Sequence, residues 1–357
     1  MLNPNWAKAY PELSVTGNYR VTDEDFFVSE LTNRVLSHEG PHWYGLIEKQ
    51  GTNTHWLARQ LANHAQCNLK DVGYAGLKDR HAVTRQWFSL PCKIGQPPNL
   101  THLFANPEFK LLAHGFYGAK LKRGALGGNQ FRLTIRNIEG DQSQIDRRIE
   151  LIKQRGVPNY FGEQRFGHNM NNIDHAQRLF ESGKKPRNRQ KASMYISAAR
   201  SFIFNETLSY RVENSCWDRP LDGEVWGFPG SLRGFADDGD SATLLRWRKN
   251  EIHPTAALWG RGQLTSTAKL QSLEESIANR TPLLCEGLEK AGLKQERRAT
   301  RLMVPDLYSK WLDDSTLALH FSLPSGYYAT SVLRELGQFT EAERPREGES
   351  VTEGGAE

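Results

Sequence analysis

The sequence has no apolar run long enough to cross a membrane and no cysteine pattern typical of a disulfide or zinc framework. Its apolar runs, such as residues 111–113, are far shorter than the roughly 20 residues that a membrane-spanning helix requires. Residues 1–10 contain no apolar signal core. The four cysteines are widely separated and include no C-x-x-C pair. We therefore expect a cytoplasmic protein with ordinary apolar cores and no membrane partner.

Several motifs of well-known enzyme classes are also absent. No H-E-x-x-H is present, and Pro41 prevents a regular helix between His38 and His42, so we expect no metal site. Residues 124–128 are rich in glycine, but no Gly-Lys-Ser/Thr follows them and no G-x-G-x-x-G occurs. A G-x-S-x-G nucleophile elbow is missing as well. These absences disfavour a metallopeptidase, a P-loop or dinucleotide-binding protein and a serine hydrolase.

Positive charge is in excess over most of the chain. The net charge of the 357 residues is +5, but residues 341–357 hold six acidic and two basic residues, so the remainder carries +9. Such an excess suits a polyanionic partner, although many basic proteins bind no nucleic acid. The acidic segment has no aromatic residue and is predicted to be a disordered tail.

The two ends of the chain share a strand-like pattern that the middle lacks. Residues 130–136 alternate between apolar and polar side chains, as in a half-buried strand, and residues 317–323 do the same. Residues 157–303 are richer in helical patterns, for example at 173–181 and 193–209. We therefore predict that residues 1–155 and 304–340 form one domain around a shared sheet, into which residues 156–303 are inserted as a second domain.

One local cluster has the composition of a reactive site. In GYAGLKDRH, at residues 73–81, the end of a short strand leads into a glycine-bearing loop in which Lys78 and Arg80 flank Asp79. Flanking cations favour an ionised carboxylate, and an ionised carboxylate is a competent nucleophile toward a sugar or base carbon. The local sequence by itself favours the simpler alternative, in which Asp79 caps the following turn.

Six segments in chain order resemble the TruD family of tRNA pseudouridine synthases. Together they run from about residue 20 to residue 336, so the resemblance covers nearly everything except the two ends. Chance does not readily produce six matches in the same order. The segments are DEDFFVSE at 23–30, GYAGLKDRHAVT at 73–84, GNQF at 128–131, VPNYFGEQRFG at 157–167, SAARS at 197–201 with FN at 204–205, and YATSVLREL at 328–336.

The resemblance implies an activity and a fold. Members of this family isomerise uridine to pseudouridine at position 13 of tRNA without a cofactor or metal. The implied fold is α+β: a pseudouridine-synthase-like catalytic domain with a mixed, mainly antiparallel sheet, interrupted by an inserted α/β TRUD domain at about residues 156–303. A cleft between the two domains would hold the RNA. The implied partner is tRNA, and no obligate protein partner is evident.

The resemblance also implies a set of site residues. Asp79 falls on the catalytic aspartate, which would either attack ribose C1′ or abstract a ribose proton. Phe26, Phe131 and Tyr328 fall at positions that bind or surround a flipped-out uridine, and Asn129 offers a donor and an acceptor to it. Two alternatives stay open from the residues themselves: Phe131 lies on the apolar side of its strand and could serve the core, and Asn129 could close a turn. Residues 159–167 are interpreted as mainly structural.

Two positions depart from the common family pattern. Arg20 stands where members often carry lysine; either cation could pair with Asp79, but the arginine fork has a different geometry. Tyr328 stands where phenylalanine is frequent, and its hydroxyl requires water or a polar partner. The basic loop at 184–189 either follows a phosphate track or is a solvated surface loop.

Two other functions compete with this interpretation. An RNA-folding chaperone on the same scaffold would use the positive charge and the aromatic residues equally well, but it has no need of a carboxylate facing phosphates. An enzyme that cleaves a nucleoside without rejoining it usually requires two cooperating carboxylates, and only Asp79 is singled out here. The resemblance therefore favours a tRNA pseudouridine synthase over both alternatives.

Overall fold

The computed structural model describes residues 5–183 and 188–342. Most of the basic loop at 184–189, and the acidic tail from residue 343 onward, lie outside the described residues.

Strands dominate the two ends of the described chain. The sixteen strands of the described residues are β1 (Thr16–Tyr19), β2 (Phe26–Leu31), β3 (His42–Lys49), β4 (Gly73–Tyr74), β5 (Val83–Pro91), β6 (Phe109–Tyr117), β7 (Gly128–Glu139), β8 (Val157–Pro158), β9 (Val225–Gly227), β10 (Gly234–Ala236), β11 (His253–Leu258), β12 (Glu296–Ala299), β13 (Arg301–Leu302), β14 (Tyr308–Asp313), β15 (Thr316–Pro324) and β16 (Gln338–Glu341).

Helices are concentrated between β7 and β12. The nine α-helices of the described residues are α1 (Thr54–His64), α2 (Thr101–Phe104), α3 (Gln142–Arg155), α4 (Asn171–Ser182), α5 (Arg189–Glu213), α6 (Ser241–Arg248), α7 (Ala268–Arg280), α8 (Pro282–Lys290) and α9 (Ala329–Leu336). None of the helices in the described ranges is both long and apolar enough to span a bilayer.

Ten strands form one large sheet. Seven of them follow the order β14-β15-β7-β2-β5-β3-β6, while β1 pairs with β7, β16 with β1, and β4 with β5. The β2–β5 and β1–β16 pairs are parallel and the other pairs are antiparallel. The predicted mixed, mainly antiparallel sheet is therefore confirmed.

The two ends of the chain meet in this sheet, as their shared pattern predicts. Along the β15–β7 pair, Phe321 lies opposite Phe131 and Leu317 opposite Ile135. The last strand, β16, pairs with the first, β1. Where the chain leaves and rejoins this region, β8 and β13 form a short two-stranded sheet. The domain boundaries near residues 155 and 303 stay a prediction.

Helices α3 and α9 cover the face of the sheet that carries Phe131. Helix α3 begins after Asp141, whose side chain accepts a hydrogen bond from the backbone of Ser143, and ends before Gly156, which has a φ of 77°. Its apolar positions recur at helical spacing and are buried with residues of β7, β15 and α9 in one core. That core includes Ile145, Ile149, Ile152, Leu133, Leu319 and Val332.

The segment between β8 and β13 has its own sheet and core. Its four strands follow the order β10-β9-β11-β12. Apolar side chains of α4, α5, α7 and α8 are buried with those of β11 in one core. The side chains of Arg211 and Glu224 are completely buried and form an ion pair of 2.7 Å. Glu224 also accepts hydrogen bonds from the backbone amides of Leu221 and Thr255, so the buried charge is well satisfied.

Candidate active site

The loop between β4 and β5 presents Asp79 and is held by buried polar side chains. The ammonium group of Lys49, at the buried end of β3, donates to the carbonyl oxygen of Asp79 at 3.1 Å and also to that of Thr52. The hydroxyl of Thr54 accepts from the backbone amide of Lys78 at 2.9 Å. These bonds fix the backbone on both sides of the Asp79 side chain.

The cation that precedes Asp79 in sequence is directed elsewhere. Lys78 forms an ion pair of 2.7 Å with Glu30, in which both side chains are largely buried. The other carboxylate oxygen of Glu30 accepts from the backbone amide of Trp87 at 2.8 Å. Lys78 therefore ties the loop to β2 and β5, although the sequence suggests it as a charge partner of Asp79.

Arg20 supplies a cation that contacts Asp79. Its Nη2 lies 2.7 Å from Asp79 Oδ2, and its Nη1 lies 2.9 Å from Glu341 Oε1. The guanidinium carbon stands 4.0 Å from the centroid of the Phe26 ring, within the range of a cation–π contact. Arg20 is buried and has a φ of 59°, a conformation that residues with a side chain rarely adopt. Such backbone strain persists where the surroundings over-determine it, which is common at functional sites.

Gln164 makes a second side-chain contact with Asp79. Its Nε2 lies 3.4 Å from Asp79 Oδ2. It belongs to the segment at 159–167, which the sequence suggests to be mainly structural. That interpretation fits the fully buried Asn159, whose amide donates to the carbonyl of Ala299, but it misses Gln164.

An aromatic group lies beside Asp79. Phe26 and Phe131 meet edge to face with ring centroids 6.4 Å apart, and Phe131 stacks on Phe321 at 5.3 Å. Phe131 thus both borders the site and packs into the core, so the two interpretations of this residue are compatible. Asn129, at the start of β7, has a buried side-chain oxygen with no hydrogen-bond partner within the described ranges.

Tyr328 lies at the N-terminus of α9, and its hydroxyl has a polar partner. Arg165 donates to this oxygen from Nε at 3.1 Å and from Nη2 at 2.7 Å. The Tyr328 ring meets Phe161 edge to face at 6.0 Å. A side chain at Gly162 would place its Cβ 2.9 Å from Tyr328 Cδ1, so only glycine allows this close approach.

These residues line one cleft of about 860 Å³. Its wall includes the loop of Asp79, the start of β2, the start of β7, residues 160–164, the residues before and within α9, and the end of β16. All six residues that the resemblance implies are brought together here: Arg20, Phe26, Asp79, Asn129, Phe131 and Tyr328.

Burial shifts the pKa values of two side chains near Asp79, those of Lys49 and Tyr19. Burial lowers the pKa of Lys49 to about 8, a shift that the nearby Asp79 partly opposes. Burial, reinforced by the charge of Glu341, raises the pKa of Tyr19 to about 12. In the part of the chain that the structure describes, no three His, Cys, Asp or Glu side chains cluster as metal ligands would.

The mixed, mainly antiparallel sheet is that of the pseudouridine synthase fold. The fold is similar to a solved structure of a putative tRNA pseudouridine synthase D from Methanosarcina mazei, with a TM-score of 0.67 over 92% of this chain and 95% of that one, at 23% identity. The family tRNA pseudouridine synthase D (TruD) matches residues 10–179 and 180–336. The chain belongs to this family, and the resemblance noted in its sequence is confirmed.

Sequence relatives agree along nearly their whole length. A tRNA pseudouridine synthase D of Hydrogenovibrio crunogenus is 43% identical over 332 residues, which cover 93% of this chain and 96% of the relative. One from Nitrosococcus oceani is 46% identical over 331 residues, which cover 92% of each.

Proposed function

We propose that this chain isomerises uridine to pseudouridine at position 13 of tRNA, with Asp79 as the catalytic carboxylate. The observation that carries the proposal is the ion pair of 2.7 Å between Arg20 and Asp79 at an aromatic cleft, in a member of this enzyme family. The cleft lies between the proposed catalytic domain, residues 1–155 and 304–340, and the proposed inserted domain, residues 156–303. A cytoplasmic location, where tRNA meets its modifying enzymes, completes the proposal.

The reaction conserves atoms and electrons. The bond between uracil N1 and ribose C1′ breaks, and a new bond forms between uracil C5 and C1′. The C5 hydrogen leaves as a proton and N1 gains one, so the isomerisation needs no oxidant or reductant. Asp79 begins it in its ionised form, either by attacking C1′ or by abstracting a ribose proton. Arg20 supplies a fixed positive charge beside the carboxylate.

The cleft provides the surface that an extruded base requires. Flipping a base out of a helix costs a few kcal/mol, and stacking on an aromatic side chain returns about 1–3 kcal/mol per base. Phe26, Phe131 and Tyr328 are the rings available to the uracil. Asn129 lines the same cleft, and its side-chain amide offers hydrogen-bonding groups to the uracil or the ribose.

The test uses tRNA that carries tritium at uracil C5. Pseudouridine formation must release this label, because C5 loses its hydrogen when the new bond forms. We expect the wild type to release one label per tRNA, the Asp79→Ala variant to release none, and a tRNA with cytidine at position 13 to give no release from the wild type. Tight tRNA binding without any release would contradict the proposal and favour the RNA-chaperone alternative.

A further inference from the structure

Arg20 is shared between two carboxylates in the cleft. Its Nη2 contacts Asp79 at 2.7 Å, and its Nη1 contacts Glu341 at 2.9 Å. Because a guanidinium group carries donors on separate nitrogens, it binds both carboxylates at the same time. The Arg20 side chain is only 6% exposed, whereas those of Asp79 and Glu341 are 25% and 42% exposed.

Backbone pairing places Glu341 beside Arg20. Glu341 is the last residue of β16 and pairs in parallel with Tyr19 of β1. The backbone amide of Ala342 then donates to the carbonyl of Tyr19 at 3.1 Å. The end of the chain's last described strand is thus fixed directly next to the residue that carries the catalytic cation.

The contacts of Arg20 restrict its guanidinium in two different ways. The guanidinium carbon lies over the Phe26 ring, 4.0 Å from the ring centroid, so the ring packs against the guanidinium group. This contact leaves open which nitrogen is turned toward Asp79. The ion pair of Glu341 with Nη1 removes that freedom and leaves Nη2 directed at Asp79.

We propose that Glu341 is a positioning residue of the active site: it holds the Arg20 fork in the orientation that serves Asp79. This inference rests on the proposed function, because it assigns Glu341 a role in the same reaction. Glu341 acts only through Arg20 and does not touch the substrate. Its effect on catalysis therefore disappears when Arg20 is replaced.

A double-mutant cycle tests this dependence. The variants are Glu341→Met, Arg20→Met and the double variant, assayed by single-turnover tritium release followed over hours so that slow variants still give a rate. We expect Glu341→Met to slow the wild-type step about two- to fivefold, the scale of a partly exposed ion pair, with tRNA affinity unchanged. In the Arg20→Met background the same change has no further effect. Glu341→Gln retains an acceptor oxygen and recovers part of the rate.

Glu163 offers a control, because it is another exposed carboxylate of the same cleft, and the inference gives it no part in positioning Arg20. Glu163→Met changes the charge equally, so its effect is the same with or without Arg20. Equal slowing by Glu341→Met in both Arg20 backgrounds, or faster release in the single variant, would overturn the inference. An inactive wild type would instead overturn the proposed function, so the two failures are distinguishable.

Discussion

Arg20 Nη2 lies 2.7 Å from Asp79 Oδ2, and this ion pair joins the residue after the first strand to the loop between the fourth and fifth strands. The arginine is buried and held in a left-handed backbone conformation, whereas the aspartate is partly open to the cleft. The cation is thus fixed before substrate binds, which reduces the reorganisation required during the reaction.

Replacing Arg20 should affect chemistry more than binding. Arg20→Met keeps an unbranched apolar chain against Phe26 but removes the charge, so we expect tritium release to slow about 10- to 100-fold, as loss of a charged hydrogen bond of roughly 1.5–3 kcal/mol implies. Arg20→Lys should retain more of the rate. Single-turnover assays beside tRNA binding measurements check this. Unchanged release by Arg20→Met would remove Arg20 from the reaction.

Lys49 should make stability depend on pH in the alkaline range. Burial lowers its pKa to about 8, below the usual value of 10.5. Between these values the unfolded chain binds more protons than the folded chain, so the free energy of unfolding rises with pH. Relative to Lys49→Met, we expect the wild type to gain up to about 3 kcal/mol from pH 8 to 10.5. Urea unfolding at several pH values measures this gain in the free energy of unfolding. If the free energies of the two proteins differed by the same amount at every pH, the lowered pKa of Lys49 would be refuted.

The Tyr328 ring and its hydroxyl should have separable effects. Tyr328→Phe keeps the aromatic face but removes the oxygen that accepts two hydrogen bonds from Arg165. We expect near-normal tritium release and a loss of about 1–3 kcal/mol in unfolding free energy. Tyr328→Ala removes the face as well and should weaken turnover strongly. If the phenylalanine variant were as inactive as the alanine variant, the hydroxyl itself would be required.

The buried pair of Arg211 and Glu224 predicts a purely structural effect. Glu224→Gln leaves the Arg211 charge completely buried without its carboxylate, so we expect a loss of about 3–5 kcal/mol in unfolding free energy, with activity retained below the melting temperature. The matched control is Glu286→Gln, which breaks an exposed helix pair with Lys290 and should change little. Equal melting temperatures for both variants would show that the burial of an ion pair does not determine how much stability is lost when the pair is broken.

The sequence was sufficient to predict features that are encoded locally, namely strands with a repeating apolar pattern and site residues within contiguous motifs. The alternation at 130–136 and at 317–323 predicts two half-buried strands, and these pair as β7 and β15. The motif residues Phe26, Asp79, Asn129 and Tyr328 lie far apart in sequence but line one cleft.

Contacts that depend on tertiary geometry could not be predicted in this way. Lys78 precedes Asp79 but pairs with Glu30, and no local pattern distinguishes that partner. Glu341 lies at the start of a segment whose composition predicts disorder, yet it pairs with Tyr19 in the sheet. Lys49 gave one usable signal, because it continues the buried face of β3 after Trp43 and Ile47. A lysine on the apolar face of a strand is rarely buried without polar partners, so its position indicates that it binds buried polar groups.

The most direct test of the account is tritium release by Asp79→Asn. Asparagine keeps the size of the side chain and its acceptor oxygen but removes the negative charge that either chemical route requires. We expect this variant to bind tRNA with the wild-type affinity and to release no label from uracil C5 in a single turnover. Release at a rate close to that of the wild type would contradict the assignment of Asp79 as the catalytic carboxylate.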